Sequence, residues 1–182
     1  MGEQDWQAAQ SRGDQMIFVA TSKGQFHLGH KVVSCALGRA GVISAAQKRE
    51  GDGASPIGLW PIRRFLYRAD RLDRPKTLLP LAPIGPSDGW CDESTDVAYN
   101  QPVNLPYPAR CEQLWREDGV YDLIGVLGYN DAPVLPGCGS AIFLHLARPG
   151  YLPTEGCVAL APEHMLAVMA QAGPGAAIEI RA

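Results

Sequence analysis

Short apolar runs alternate with turn-forming clusters along this chain, and only one stretch carries the 3.6-residue period of an amphipathic helix. QMIFVAT (residues 15–21) is an apolar run stopped by Ser22-Lys23-Gly24, which predicts a strand and a hairpin turn. The turn leads into QFHLGHKVVSCALG, strand-like as far as Gly38. Residues 42–58 are polar and glycine-rich and predict a loop. LWPIRRFLYRAD (residues 59–70), aromatic and branched, predicts another strand, pairing with the LLPLAP segment. Residues 82–110, proline-rich with Trp90, predict a long ordered loop or lid, and CEQLWRED (residues 111–118) a helical turn or two. YDLIGVLGYN and SAIFLHLA are nearly continuous apolar runs, as in strands buried on both faces. Pro162 suits the first position of a helix whose apolar face is Met165, Leu166, Val168 and Met169, with Gly173 as its stop. AAIEIRA closes the chain as an alternating strand. The expected fold is mainly β, with one helix near the C-terminus and long loops.

Composition narrows the function classes. A chain of 182 residues predicts a single domain over 15–182 behind a poorly ordered stretch, 1–14. The net charge of -3, with no basic tract, excludes bulk electrostatic binding to nucleic acid. No apolar run approaches the ~18 residues of a membrane span. MGEQDWQAAQSRGDQ lacks the cationic and apolar regions of a secretory signal, and Trp6 stands where myristoylation needs Ser or Thr. The expected location is the cytoplasm, with the periplasm as the alternative if the sequence is truncated. Cysteines fall at 35, 91, 111, 138 and 157 without a CxxC pair, which fits free thiols better than a disulfide framework or zinc site. His27 and His30 have no carboxylate cluster beside them, and neither GDG nor GCGS is a phosphate-binding pattern. No metal or cofactor is expected.

The candidate chemistry lies in YLPTEGCVALAPEHM (residues 151–165). A nucleophilic thiol needs a partner to hold it as thiolate, and backbone N–H donors for the oxyanion it creates. Gly156 permits close backbone approach, and the N–H groups of Gly156 and Cys157 are the candidate donors. His145 interrupts an apolar strand, and the short turn-rich connection to Cys157 makes the two residues easy neighbours. Spacing alone leaves two readings: a small core cysteine with a core histidine bonded to a carbonyl, or a nucleophile with its base. A nucleophile is expected to carry a lowered pKa and to outpace the other four cysteines in alkylation.

HLARPGYLPTEGCVAL resembles the signature of the L,D-transpeptidase catalytic domain (YkuD-type): a His, a spacer, then Ser or Thr, any residue, Gly and Cys. GDGASPIG resembles that family's Thr/Ser-Pro-x-Gly element, here Ser55, Pro56 and Gly58. The likeness spans roughly residues 15–181 and looks like a short subgroup without a signal peptide. It implies a β-sandwich and acyl transfer on peptidoglycan stem peptides, in which a cysteine attacks the bond between the diamino acid and D-Ala and forms a thioester. It also implies that Cys157 is the nucleophile and His145 its base, with the Leu146 carbonyl orienting the imidazole. Gly156 would be an oxyanion donor, and Thr154 a support of the loop.

Three features depart from the pattern: Ala159 stands where many members carry Arg or Asn, the spacer is short, and no wall-binding module is seen. The expected activity is that of an L,D-carboxypeptidase trimming soluble tetrapeptide muropeptides in murein recycling. A periplasmic L,D-transpeptidase is the alternative, and an inactive peptidoglycan-peptide binding module stands for another class. Arg148 and Lys48-Arg49 are candidate cations for the anionic peptide, and Tyr129 and Asn130 candidate contacts to its backbone. Oligomeric state is left open.

Overall fold

The computed structural model describes residues 16–182, so the expectation for residues 1–14 lies outside it. The architecture is built on one long strand, β5 (Ser55–Tyr67). Its first half pairs antiparallel with β13 (Ala177–Arg181), and its second half with β10 (Leu123–Leu127). Pro61 cannot donate to a ladder, and the register with β10 slips where Val126 faces Arg64 and Leu127 faces Ile62. Such a bulge bends and twists a strand, letting β5 belong to two wings of one sheet.

On the β13 side lie β1 (Ile17–Thr21), parallel to β13, then β2 (Gln25–Leu28) and β3 (Lys31–Ser34). The stretch expected to be one strand up to Gly38 is therefore a hairpin, turned at Gly29, whose φ of 60° suits glycine. On the β10 side lie β11 (Phe143–Leu146) and β12 (Val158–Leu160). The two ends of this path meet. Ala36, just past β3, and Ala159 in β12 exchange both backbone hydrogen bonds at 2.9 Å. The result is a mainly β sandwich, as the sequence pattern predicts.

The single α-helix among the described elements, α1 (Pro162–Gln171), starts on Pro162 and packs against β11. Met165, Val168 and Met169 are wholly buried, in line with the i, i+3, i+4 spacing. Leu166 falls off that stripe and is exposed, which corrects its place on the apolar face. Phe18, Phe26, Phe65 and Leu144 fill the main core with these residues. A smaller cluster of Trp90, Leu114, Tyr121, Ile124 and Phe143 encloses Cys157.

Two loop assignments are corrected. Residues 42–58 contain β4 (Val42–Ser44) and the start of β5. Residues 82–110 are mostly turns but carry short strands: β6 (Leu81–Pro83) runs beside β5, pairing LLPLAP with it as expected. β7 (Asp88–Cys91) is flanked by β8 (Pro102–Asn104) and β9 (Cys111–Gln113) in a separate antiparallel sheet. β9 stands where a helical turn was expected. These strands are too short for periodicity to show. Burial holds them instead: the Trp90 indole donates to Asn100 Oδ1 at 2.9 Å and meets the Phe143 ring edge-on at 5.1 Å.

Candidate active site

β11 and β12 are parallel neighbours, with Leu144 opposite Val158 and His145 opposite Ala159. The chain between them turns at Gly150 and Tyr151, both at positive φ, and returns through Thr154 to Cys157. That return is clamped from the far end of the chain path: Thr154 N–H donates to Leu37 O at 2.9 Å, and Arg39 N–H to Thr154 O at 2.8 Å.

Two buried hydroxyls hold the Cys157 carbonyl. Thr154 Oγ1 donates to it at 2.8 Å and Ser55 Oγ at 3.4 Å. Ser55 in turn accepts from Gly38 N–H at 2.9 Å, and Thr154 from Gly156 N–H at 3.1 Å. The expected Gly156 oxyanion donor is thus spent inside the loop, which leaves Cys157 N–H as the candidate of that pair. Gly156 is required for another reason. Its φ is +134°, and a Cβ there would stand 2.9 Å from Ala54 O. Ala159, singled out in the sequence as a departure, pairs with Ala36 and is buried.

Cys157 Sγ donates to Ala141 O at 3.2 Å and accepts from Phe143 N–H at 3.4 Å. His145 Nδ1 lies 2.9 Å from Leu146 O. A carbonyl only accepts, so Nδ1 carries the proton and Nε2 is the basic nitrogen. The Tyr121 ring packs edge-on to the imidazole at 5.4 Å.

Burial governs the protonation of both groups. It pushes the Cys157 thiol up to about 12, helped by the Glu112 charge and opposed by the Phe143 N–H. It pushes His145 down to about 4. The resting pair is therefore a neutral thiol with a neutral imidazole, which corrects the expectation of a lowered thiol pKa. Desolvation outweighs the few favourable dipoles.

Both residues line one cavity of about 600 Å³, along with Thr154, Ala141, Tyr121 and Ala159. Its polar wall carries Lys48, Arg110, Arg116 and Arg148 beside Glu50, Asp92, Glu112 and Glu155. Arg148 is exposed at the wall. Lys48 is buried and bonded to Asp52 and Arg49 O, while Arg49 caps the Ala46 and Lys48 carbonyls, so these two cations are spent on their own loop.

Tyr129 and Asn130 do not line the cavity, contrary to expectation. Tyr129 OH donates to Cys138 O at 2.5 Å, and its ring meets Trp60. Asn130, at φ 50°, folds its amide onto Leu135 O and Gly139 O, as asparagine does in turns. Sequence reasoning missed Glu112 and Tyr121. The Tyr121 OH donates to Glu112 Oε1 at 2.5 Å, and burial raises the Glu112 pKa while that bond lowers it. Glu112 sits in a three-residue strand, where no periodic signal exists to find it.

The structure of L,D-transpeptidase 1 from Mycobacterium tuberculosis is similar at 13% identity and a TM-score of 0.42, over 93% of this chain and 62% of that one. This chain thus spans less than two thirds of that protein's length. No curated protein matches. The family model of the L,D-transpeptidase catalytic domain matches residues 11–180, and the chain belongs to that family.

Proposed function

We propose that Cys157 and His145 carry out acyl transfer on peptidoglycan stem peptides, with water as the favoured acceptor. The observation that supports this most is the cavity that both residues line, in which His145 Nδ1 is fixed on Leu146 O and Nε2 is left as the basic nitrogen. As the peptide enters, the Cys157 proton passes to His145 Nε2 and Sγ attacks the carbonyl of the diamino acid. The oxyanion takes the Cys157 N–H, and the imidazolium returns its proton to the departing D-Ala nitrogen. Water, deprotonated by the same imidazole, then cleaves the thioester.

Because the resting pair is neutral, substrate must complete the activation: it expels water and supplies the developing charge that the site is built to hold. Among the described residues of the wall, Arg148 is the cation without an ion pair and is the one proposed for the peptide carboxylate. A volume of about 600 Å³ suits the end of one stem peptide, which favours L,D-carboxypeptidase action on soluble tetrapeptides and a role in murein recycling. The second reading, amine transfer by an L,D-transpeptidase, draws support from Glu112, Glu50 and Asp92, whose carboxylates suit an incoming ammonium.

The test is mass spectrometry of a tetrapeptide muropeptide incubated with the protein, alone and with a D-amino acid. Loss of D-Ala without exchange is expected. Exchange in preference to hydrolysis overturns the choice of water. Neither reaction overturns the catalytic reading and leaves a peptide-binding module. Cys157→Ala must abolish turnover with the fold retained.

A further inference from the structure

Cys91 and Cys111 stand opposite each other across the β7–β9 pair. The ladder fixes what kind of pair they make. Leu114 N–H donates to Asp88 O at 2.9 Å and Asp92 N–H to Arg110 O at 3.2 Å. Hydrogen-bonded pairs therefore fall at 88/114, 90/112 and 92/110, and the cysteines occupy the non-hydrogen-bonded position between the last two. Cys91 agrees with this, since its backbone bonds the other neighbour: its N–H donates to Gln101 O and its C=O accepts from Asn100 N–H, both at 2.9 Å.

At such a site the Cα atoms are about 4.5 Å apart and the side chains leave from the same face. That lies within the span a disulfide closes, roughly 4.4–6.8 Å. Both sulfurs are free thiols, and the Cys111 thiol donates to Ala109 O at 3.4 Å. Their exposures differ in a useful way. Cys111 is partly exposed and lines the cavity, whereas Cys91 is wholly buried behind it. One thiol is placed to meet a small oxidant and the other to resolve the product. Neither is used by the acyl-transfer chemistry of Cys157.

We propose that Cys91 and Cys111 form a reversible disulfide at the wall of the cavity, made by exchange with a low-molecular-weight disulfide of the glutathione class. The Cys111 thiolate attacks one sulfur of the external disulfide and releases one thiol. Cys91 then attacks the Cys111 sulfur of the mixed disulfide, forming the protein S–S bond and expelling the second thiol. Two protein thiols are oxidised, one external disulfide is reduced to two thiols, and the protein's two protons leave on them. Burial, the adjacent Cys91 sulfur and the Asp92 and Asp96 charges push Cys111 up to about 11. Exchange is therefore slow at neutral pH and accelerates as pH rises. The bond ties β7 to β9, the strand that carries Glu112.

The whole protein is incubated with oxidised glutathione at pH 8.5, quenched in acid, unfolded in urea, alkylated there with N-ethylmaleimide so that buried thiols are counted, and mapped by non-reducing peptide mass spectrometry. Three labelled thiols of the five are expected, with Cys91 linked to Cys111 and full reversal by dithiothreitol. Cys91→Ser is expected to trap glutathione on Cys111. Cys111→Ser, at the partly exposed position, is expected to leave Cys91 a free thiol and no link. Five labelled thiols after prolonged oxidation, a stable glutathione adduct on Cys111 in the unaltered protein, or a link through Cys35, Cys138 or Cys157 overturns the proposal. The readout is a thiol count, so it stands apart from the muropeptide reaction.

Discussion

Replacing Thr154 by Val keeps the shape of a buried side chain and removes one oxygen, and that oxygen serves two partners. Thr154 Oγ1 donates to Cys157 O and accepts from Gly156 N–H. The carbonyl retains the longer bond from Ser55, but the Gly156 N–H loses its acceptor. Each buried hydrogen bond contributes about 1 kcal/mol net, and an orphaned buried donor costs about 1–3 kcal/mol. Together these set the expected destabilisation at roughly 2–4 kcal/mol, a fall of about 4–16 °C in Tm for a domain of this size. Urea unfolding followed by tryptophan fluorescence measures the loss, with Thr154→Ser as the control expected within about 1 kcal/mol of the parent. Because Ser55 holds the same carbonyl, Ser55→Ala and Thr154→Val should be non-additive, coupling by about 0.5–3 kcal/mol. The D-Ala release rate, measured where both proteins are folded, should fall about tenfold in Thr154→Val, since the Cys157 peptide is no longer fixed; that is ~1.4 kcal/mol of barrier. A Val variant as stable as the parent, with no coupling to Ser55, would refute the role given to this hydroxyl.

Gly156→Ala should lose activity and about 1–3 kcal/mol or more of stability, because an L residue is strained at φ +134° and its Cβ meets Ala54 O; thermal unfolding and D-Ala release measure both. Alkylation of Cys157 by iodoacetamide in the free protein should be roughly three orders of magnitude slower near pH 7 than that of an ordinary thiol, whose pKa is about 8.5. The rate should climb through pH 10 without a plateau, and a plateau below pH 8 would contradict the raised thiol pKa. His145 is neutral in the fold down to about pH 4, while the unfolded imidazole takes its proton near pH 6.5. Its contribution is thus present above about pH 6.5 and lost as pH falls toward 4, with a slope of at most ~1.4 kcal/mol per pH unit. Urea titrations of the parent and His145→Gln across that window should differ in slope, and equal slopes would discount the buried imidazole.

Legibility in the sequence followed the range of the interactions concerned. β10, β11 and α1 announce themselves because each carries its own apolar run or stripe, and β5 was placed beside LLPLAP on the same grounds. β7, β8 and β9 were hidden. Each has three or four residues, and what orders them is Trp90 meeting Asn100 and Phe143, contacts that no local pattern encodes. The site divides the same way. His145, Leu146, Thr154, Gly156 and Cys157 lie close together in the chain and were found together. Glu112 and Tyr121 reach the cavity through tertiary packing and were not. Tyr129 and Asn130 end a strand near the site, but the end of a strand does not say which way its side chains turn. The thiol pKa went astray because burial depends on the whole fold, whereas a motif shows only the partners nearby.

The seam between Ala36 and Ala159 has a consequence for biosynthesis. The clamp on Thr154 comes from residues 37–39, more than half the chain upstream, and β1 gains its parallel partner only when β13 is in place. A ribosome-bound or prematurely ended chain that stops before residue 177 therefore has residues 37–39 but lacks the β13 partner of the wing that carries them. The Cys157 thiol is thus buried late, and an unfinished chain carries it with the ordinary thiol pKa of about 8.5 rather than the raised one of the fold.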